Sequence, residues 1–165
     1  MTTTAQPADL TIDPAYDLVL EREVDVPPHL VWAAWTTPEY LKQWFTPKPF
    51  GTEEVEIDVR PGGIFRVVMR SPEGELMDQG AGCILEVVEG RRLAWTGALG
   101  PGFRPVESDF PFSAIIDIEP SGEGTRYRAV AIHGTKELRD KHDEMGFHHG
   151  WGAALDQLVE LARSL

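Results

Sequence analysis

The stretch HDEMGFHHGWGAALDQL, residues 142–158, holds the side chains of this chain best suited to chemistry: His142, Asp143, Glu144, His148 and His149 beside Trp151. On a continuous helix Glu144 and His148 are one turn apart, so their side chains are neighbours. A carboxylate against an imidazole orients the ring and raises its pKa, which is one ingredient of proton transfer. The same pair at a surface is an ordinary ion pair reaching solvent. A zinc site needs three or four ligands converging on one point. Only the Glu144–His148 pair converges on one helix and no third ligand announces itself in the strands, so no metal is expected.

Two further polar groups stand out on strand-like segments. In LMDQGAGCILEVV (76–88), Met77, Gln79, Ala81, Cys83, Leu85 and Val87 share one parity. Gln79 interrupts an apolar face, and a buried amide must be hydrogen-bonded, either to a neighbour or to a ligand. Cys83 reads as a buried, inert thiol. The chain has no nucleophile elbow, phosphate loop or dinucleotide fingerprint. RPGG (60–63) lacks the strand–loop–helix setting of a phosphate site, so no catalytic residue is assigned and no cofactor is expected.

The elements that position these residues follow from periodicity. YDLVLEREVDV (16–26) alternates as a strand and stops at Pro27-Pro28. Two short helices follow, HLVWAAW after the prolines and EYLKQWF after Thr37-Pro38, with Thr37 as cap and Pro38 in the first turn. EEVEIDV, IFRVVMR, LMDQGAGCILEVV, RRLAWTG, FSAIIDIE and TRYRAVAIH read as six strands joined mostly by short turns, which implies an antiparallel sheet. Residues 97–111, with three glycines and three prolines, form a long loop of the kind that serves as a lid or binding loop.

A helix over 136–164, capped by Thr135, is the one element long enough to cover that sheet. At about 100° per residue, Trp151, Leu155, Leu158, Val159 and Ala162 share one sector, and Glu144 and His148 fall in it too. Gly146, Gly150 and Gly152 weaken this helix by about 1 kcal/mol each relative to alanine. Gly152, at the edge of the apolar stripe, leaves room between helix and sheet. Gly146 and Gly150, on the back, suit a bend or a close neighbour.

VWAAWTTPEYLKQWFTP, DVRPGGIFRVVMRSPEGE, GCILEVVEGRRLAWT and HDEMGFHHGWGAALDQL, in that order, resemble the family of activators of the ninety-kilodalton heat-shock protein ATPase, within the START-like (SRPBCC) superfamily. The resemblance runs from about Leu18 to Leu161. It implies an α+β helix-grip fold: a curved antiparallel sheet around a long C-terminal helix, with two short helices after the first strand. It also implies a cavity for a hydrophobic or amphipathic small molecule between sheet and helix. Inward parity then makes Trp44, Phe65, Val67, Met69, Gln79, Trp95, Phe112, Glu144, His148, Trp151 and Leu155 the candidate lining. In that setting His148 is the expected polar contact to a ligand, with Glu144 orienting it and the 97–111 loop over the opening. A cavity of this class measures on the order of 300–1,000 Å³. Fold does not fix function. A chaperone partner, as the family name suggests, and a cyclase- or hydrolase-like enzyme using the same cavity are the alternatives.

Composition sets the remaining bounds. Residues 1–14 read as a flexible tail and 15–165 as a single START-like domain. Lys and Arg number 15 against 27 Asp and Glu, a net charge of −12, which repels phosphate backbones and anionic membranes. Neither nucleic acid nor membrane is an expected partner. Cys83 is the single cysteine, so no intrachain disulfide forms, and MTTTAQPADL is no secretory signal. A cytoplasmic protein, monomer or homodimer, is the expectation.

Overall fold

Prolines punctuate the first third of the fold, and β-alternation builds the rest. A computed structural model describes residues 6–165. Residues 1–5 of the expected tail lie outside the described residues; residues 6–13 carry no helix or strand. Strand β1 (Asp17–Val24) leads through Pro27 into α1 (Pro28–Thr36), and α2 (Pro38–Trp44) follows at once. Thr37 occupies the cap position of α2, but its side chain makes no capping bond. Pro38, whose fixed φ already suits a helical first turn, starts that helix without one.

Nine further strands follow among the described residues: β2 (Gly51–Ile57), β3 (Ile64–Arg70), β4 (Leu76–Asp78), β5 (Gly82–Val88), β6 (Arg92–Thr96), β7 (Leu99–Gly100), β8 (Arg104–Pro105), β9 (Ser113–Ser121) and β10 (Gly124–Ile132). The main sheet runs β1-β10-β9-β6-β5-β3-β2, antiparallel throughout, with β4 on β3. It curls into a half-barrel around the C-terminal helix, which is the helix-grip arrangement. The core lies on the concave face, where Val67, Leu93, Ile116, Ala129, Leu155 and Leu158 meet.

The expected single helix over 136–164 is two helices, α3 (Lys136–Glu144) and α4 (Phe147–Arg163). Gly146 breaks it at φ 90°, ψ 42°, a left-handed conformation that glycine adopts without the clash a Cβ brings. Thr135 caps α3 as expected, its Oγ1 accepting from Leu138 N at 3.1 Å. On α4 the stripe Leu155, Leu158, Val159 and Ala162 is buried, while Trp151 is half-buried. A Cβ on Gly152 would stand 3.0 Å from the Arg22 guanidinium, which donates to the Gly152 carbonyl. The room at Gly152 therefore serves a contact to the edge strand β1.

Two other expectations are corrected. LMDQGAGCILEVV is not one strand: it divides at Gln79–Ala81, where Gly80 takes φ 84° and its N–H bonds Asp78 Oδ1. The face of Cys83 is also reversed. Ile84 pairs with Trp95 and shares its concave face, so Cys83, paired with Thr96, points to the other side. A bulge between Ile84 and Glu86 then returns Val87 to the core face. The 97–111 segment contains the β7–β8 hairpin, which docks on the 60–63 turn through Gly102 N to Gly62 O at 2.8 Å. Only its far end, at Phe110, reaches α3.

Candidate functional site: an aromatic wall and a buried histidine pair

Alternation along β3 puts Phe65, Val67 and Met69 on the concave face, and β6 sets Trp95 against them. Phe65 and Trp95 stack with ring centroids 4.3 Å apart and planes 13° apart. Phe112, just ahead of β9, stands edge-on to Trp95 at 5.6 Å and lies 6.2 Å from Trp151 on α4. At the other end, Phe45 joins Phe65 to Trp44 and Trp35. The structure thus strings Trp44, Phe65, Trp95, Phe112 and Trp151 along one aromatic run. Val67 and Leu155 are buried in the adjoining core, and Met69, Phe112 and Trp151 are half-buried.

An account of the indole N–H groups separates these tryptophans. Trp35 donates to the Tyr127 hydroxyl at 3.1 Å, and Trp44 donates to the Ala34 carbonyl at 2.9 Å. Trp95 is 7% exposed, yet its Nε1 is fully enclosed with no acceptor among the described residues. A buried donor left unpaired costs about 1–3 kcal/mol. The site therefore offers a donor in the middle of an apolar wall.

Three expected polar residues do not join the wall. Gln79 lies exposed on the β4–β5 connection, not buried on a strand face. Glu144 is exposed at the end of α3 and His148 is exposed on α4. The turn at Gly146 destroys the one-turn spacing that would have paired them, because that spacing holds only on an unbroken helix. His148 instead sits with Nε2 3.1 Å from the Val19 carbonyl and Nδ1 3.8 Å from Asp143 Oδ1. It pins the start of α4 to the edge strand β1.

A different imidazole occupies the end of the wall. His133 follows β10, continuing the inward parity of Tyr127, Ala129 and Ala131, and His142 comes from α3. They are 4% and 6% exposed, with His133 Nε2 2.9 Å from His142 Nδ1 and His133 Nδ1 2.8 Å from the Tyr16 carbonyl. Rings of Phe110, Phe112, Phe147 and Trp151 surround His142 at centroid distances of 5.0, 4.8, 5.2 and 6.1 Å. Burial, reinforced by His133 and opposed by Asp143, pushes the His142 pKa down to about 4. His142 is therefore neutral at pH 7. The sequence signal was present: inward parity in TRYRAVAIH ends on His133.

Among the described residues no group of three or more His, Cys, Asp or Glu side chains is placed to hold a metal ion. Two open surface concavities are present. One, of about 340 Å³, lies between α2, β2 and α4 and is lined by residues including Lys42, Thr46, Arg70 and Gln157. The other, of about 380 Å³, lies between residues 6–10 and the Arg91, Arg92, Asp117 and Arg128 cluster. Neither is lined by a residue of the aromatic wall, so neither is the cavity expected there.

The sequence matches the family described as activator of Hsp90 ATPase homolog 1-like protein over residues 25–163. The chain belongs to this family. Among solved structures, a protein from Nitrosomonas europaea is similar at 47% identity, covering 93% of this chain and 97% of its own, with a TM-score of 0.88. A Mycobacterium smegmatis protein at 24% identity covers 93% of this chain and 95% of its own, with a TM-score of 0.75. A Rhodobacter sphaeroides protein at 20% identity covers 95% and 99%, with a TM-score of 0.81. These last two speak for the fold alone. No curated protein matches the chain. No helix among the described residues is long and apolar enough to cross a membrane.

Proposed function

We propose that this member of the Hsp90 ATPase activator-like family binds a hydrophobic or amphipathic small molecule in the cytoplasm, against the aromatic wall between sheet and α4. The observation that carries this reading is the Trp95 N–H, buried without an acceptor while Trp35 and Trp44 each have one. A ligand oxygen or nitrogen there satisfies the donor and removes its cost. The half-buried Met69, Phe112 and Trp151 supply the apolar surface that such a ligand covers. Because neither surface concavity reaches this wall, ligand entry requires the half-buried Phe112 and Trp151 side chains to rotate and admit a flat molecule between sheet and helix.

The test is native mass spectrometry of the purified protein, joined to fluorescence titration with 2-methoxynaphthalene, a flat apolar probe with one acceptor. A stripped small-molecule adduct, or saturable one-to-one probe binding that weakens about tenfold in Trp95→Phe, is the expected result. A protein free of adducts that shows no saturable binding refutes the reading.

A further inference from the structure

The hydrogen bonds of the histidine pair admit one proton arrangement when both rings are neutral. The Tyr16 carbonyl accepts, so His133 Nδ1 carries the hydrogen. His133 Nε2 is then bare and accepts from His142 Nδ1–H. This leaves His142 Nε2 unprotonated, a lone pair with no protein partner among the described residues and, unlike Trp95 Nε1, not fully enclosed, on a ring that lies against Phe112 and Trp151. Here a carbonyl fixes one ring and that ring fixes the other, which is the relay that orients an imidazole for a contact at its far nitrogen.

The geometry points to His142 Nε2 as the acceptor that anchors a hydroxyl- or N–H-bearing aromatic molecule on the wall, with Trp95 Nε1–H as the complementary donor. The inference rests on the ligand-binding reading above and gives it a substrate class: flat, neutral, apolar molecules carrying a donor, such as phenols, with an acceptor able to reach Trp95. The Phe112 ring packs against both, with its centroid 4.8 Å from that of His142 and 5.6 Å from that of Trp95. An anionic ligand is disfavoured, because neutral His142 offers no charge and Asp143 is its neighbour on α3. Lys141 lies 5.5 Å over the Phe110 ring, and Arg139 is paired with Asp140 and Asp143.

Three probes of one shape test this at pH 7.5: 2-naphthol, 2-methoxynaphthalene and naphthalene. Their affinities for the full chain are read by fluorescence titration, and the imidazole nitrogens are followed by ¹⁵N NMR of the unmutated protein. The expected result is about tenfold tighter binding of 2-naphthol than of 2-methoxynaphthalene, the scale of one added hydrogen bond. The bare Nε2 resonance of His142 should move on adding 2-naphthol and stay in place with naphthalene. In His142→Phe the naphthol preference should vanish while methoxynaphthalene still binds. If the oxygenated probes bind equally and the His142 resonance stays still, the His142 assignment is overturned and the wall reading survives. If none of the three binds saturably, both fall. Should His142→Phe fail to fold, the resonance in the unmutated protein decides alone.

Discussion

Acidification should weaken this fold through one residue before its carboxylates respond. His142 is held at a pKa of about 4 in the folded chain by burial inside the aromatic box and by His133, against the pull of Asp143, and titrates near 6.5 once unfolded. Between those values the unfolded chain binds a proton that the folded chain refuses, so stability falls as pH drops from about 6.5 to about 4. Above that window the group contributes no slope, and below it the loss is complete. The gap of about 2.5 pH units, at about 1.4 kcal/mol each, amounts to about 3.5 kcal/mol, of which roughly 2 kcal/mol is gone by pH 5. The assay is urea unfolding at pH 8, 6.5, 5.5 and 4.8, in the unmutated chain and in His142→Asn. Asparagine keeps a donor for His133 Nε2 but does not titrate. The net charge of −12 shrinks on acidification in both proteins and cancels in the difference between them. Asp117 and Asp78 have depressed pKa values, so their contributions are lost only as pH falls through and below the usual carboxylate range. If the two proteins show the same slope between pH 6.5 and 4.8, the buried neutral imidazole is refuted.

Gly146→Ala should cost about 1–2 kcal/mol, because its φ of 90° forces a Cβ into the left-handed region. Gly150→Ala, inside α4 with no atom within 4 Å of the new Cβ, should instead stabilise by about 0.5–1 kcal/mol; thermal unfolding of both checks the break between α3 and α4. Leu158→Ala, at 0% exposure, should cost about 2–5 kcal/mol in urea unfolding. Asp117→Asn should cost about 2–4 kcal/mol, since it removes the carboxylate that Arg92, 5% exposed, bonds twice and leaves only the half-exposed Glu86 at 3.5 Å. Burial alone would raise the Asp117 pKa, but the Arg92 and Arg128 hydrogen bonds and charges outweigh it, so chemical-shift titration of Asp117 should give a midpoint below 3.8.

Local rules were enough for the sheet, the short helices and the aromatic wall. Alternation is a property of the strand backbone itself, so Phe65, Val67 and Met69 share a face whatever packs on them. The same holds for Tyr127, Ala129, Ala131 and His133, and the Pro28 and Pro38 helix starts are equally local. Angular reasoning succeeded on α4, where the helix is continuous from Phe147 to Arg163. It failed for Glu144 and His148, because one left-handed glycine between them resets the phase, and three glycines in that stretch gave no means of choosing which would turn. Cys83 is buried as expected but on the opposite face, for a related reason: the turn at Gly80 and the bulge at Leu85 each shift the parity by a residue, and only the first is marked by a glycine. The pairing of His133 with His142 belongs wholly to the tertiary structure. It needs the end of β10 and the last turn of α3 to double back on each other, the Tyr16 carbonyl to arrive from the segment before β1, and Phe110 and Phe112 to close over both rings. No spacing encodes those meetings, because they depend on how the segments before β1 and β9 pack against the junction between β10 and α3.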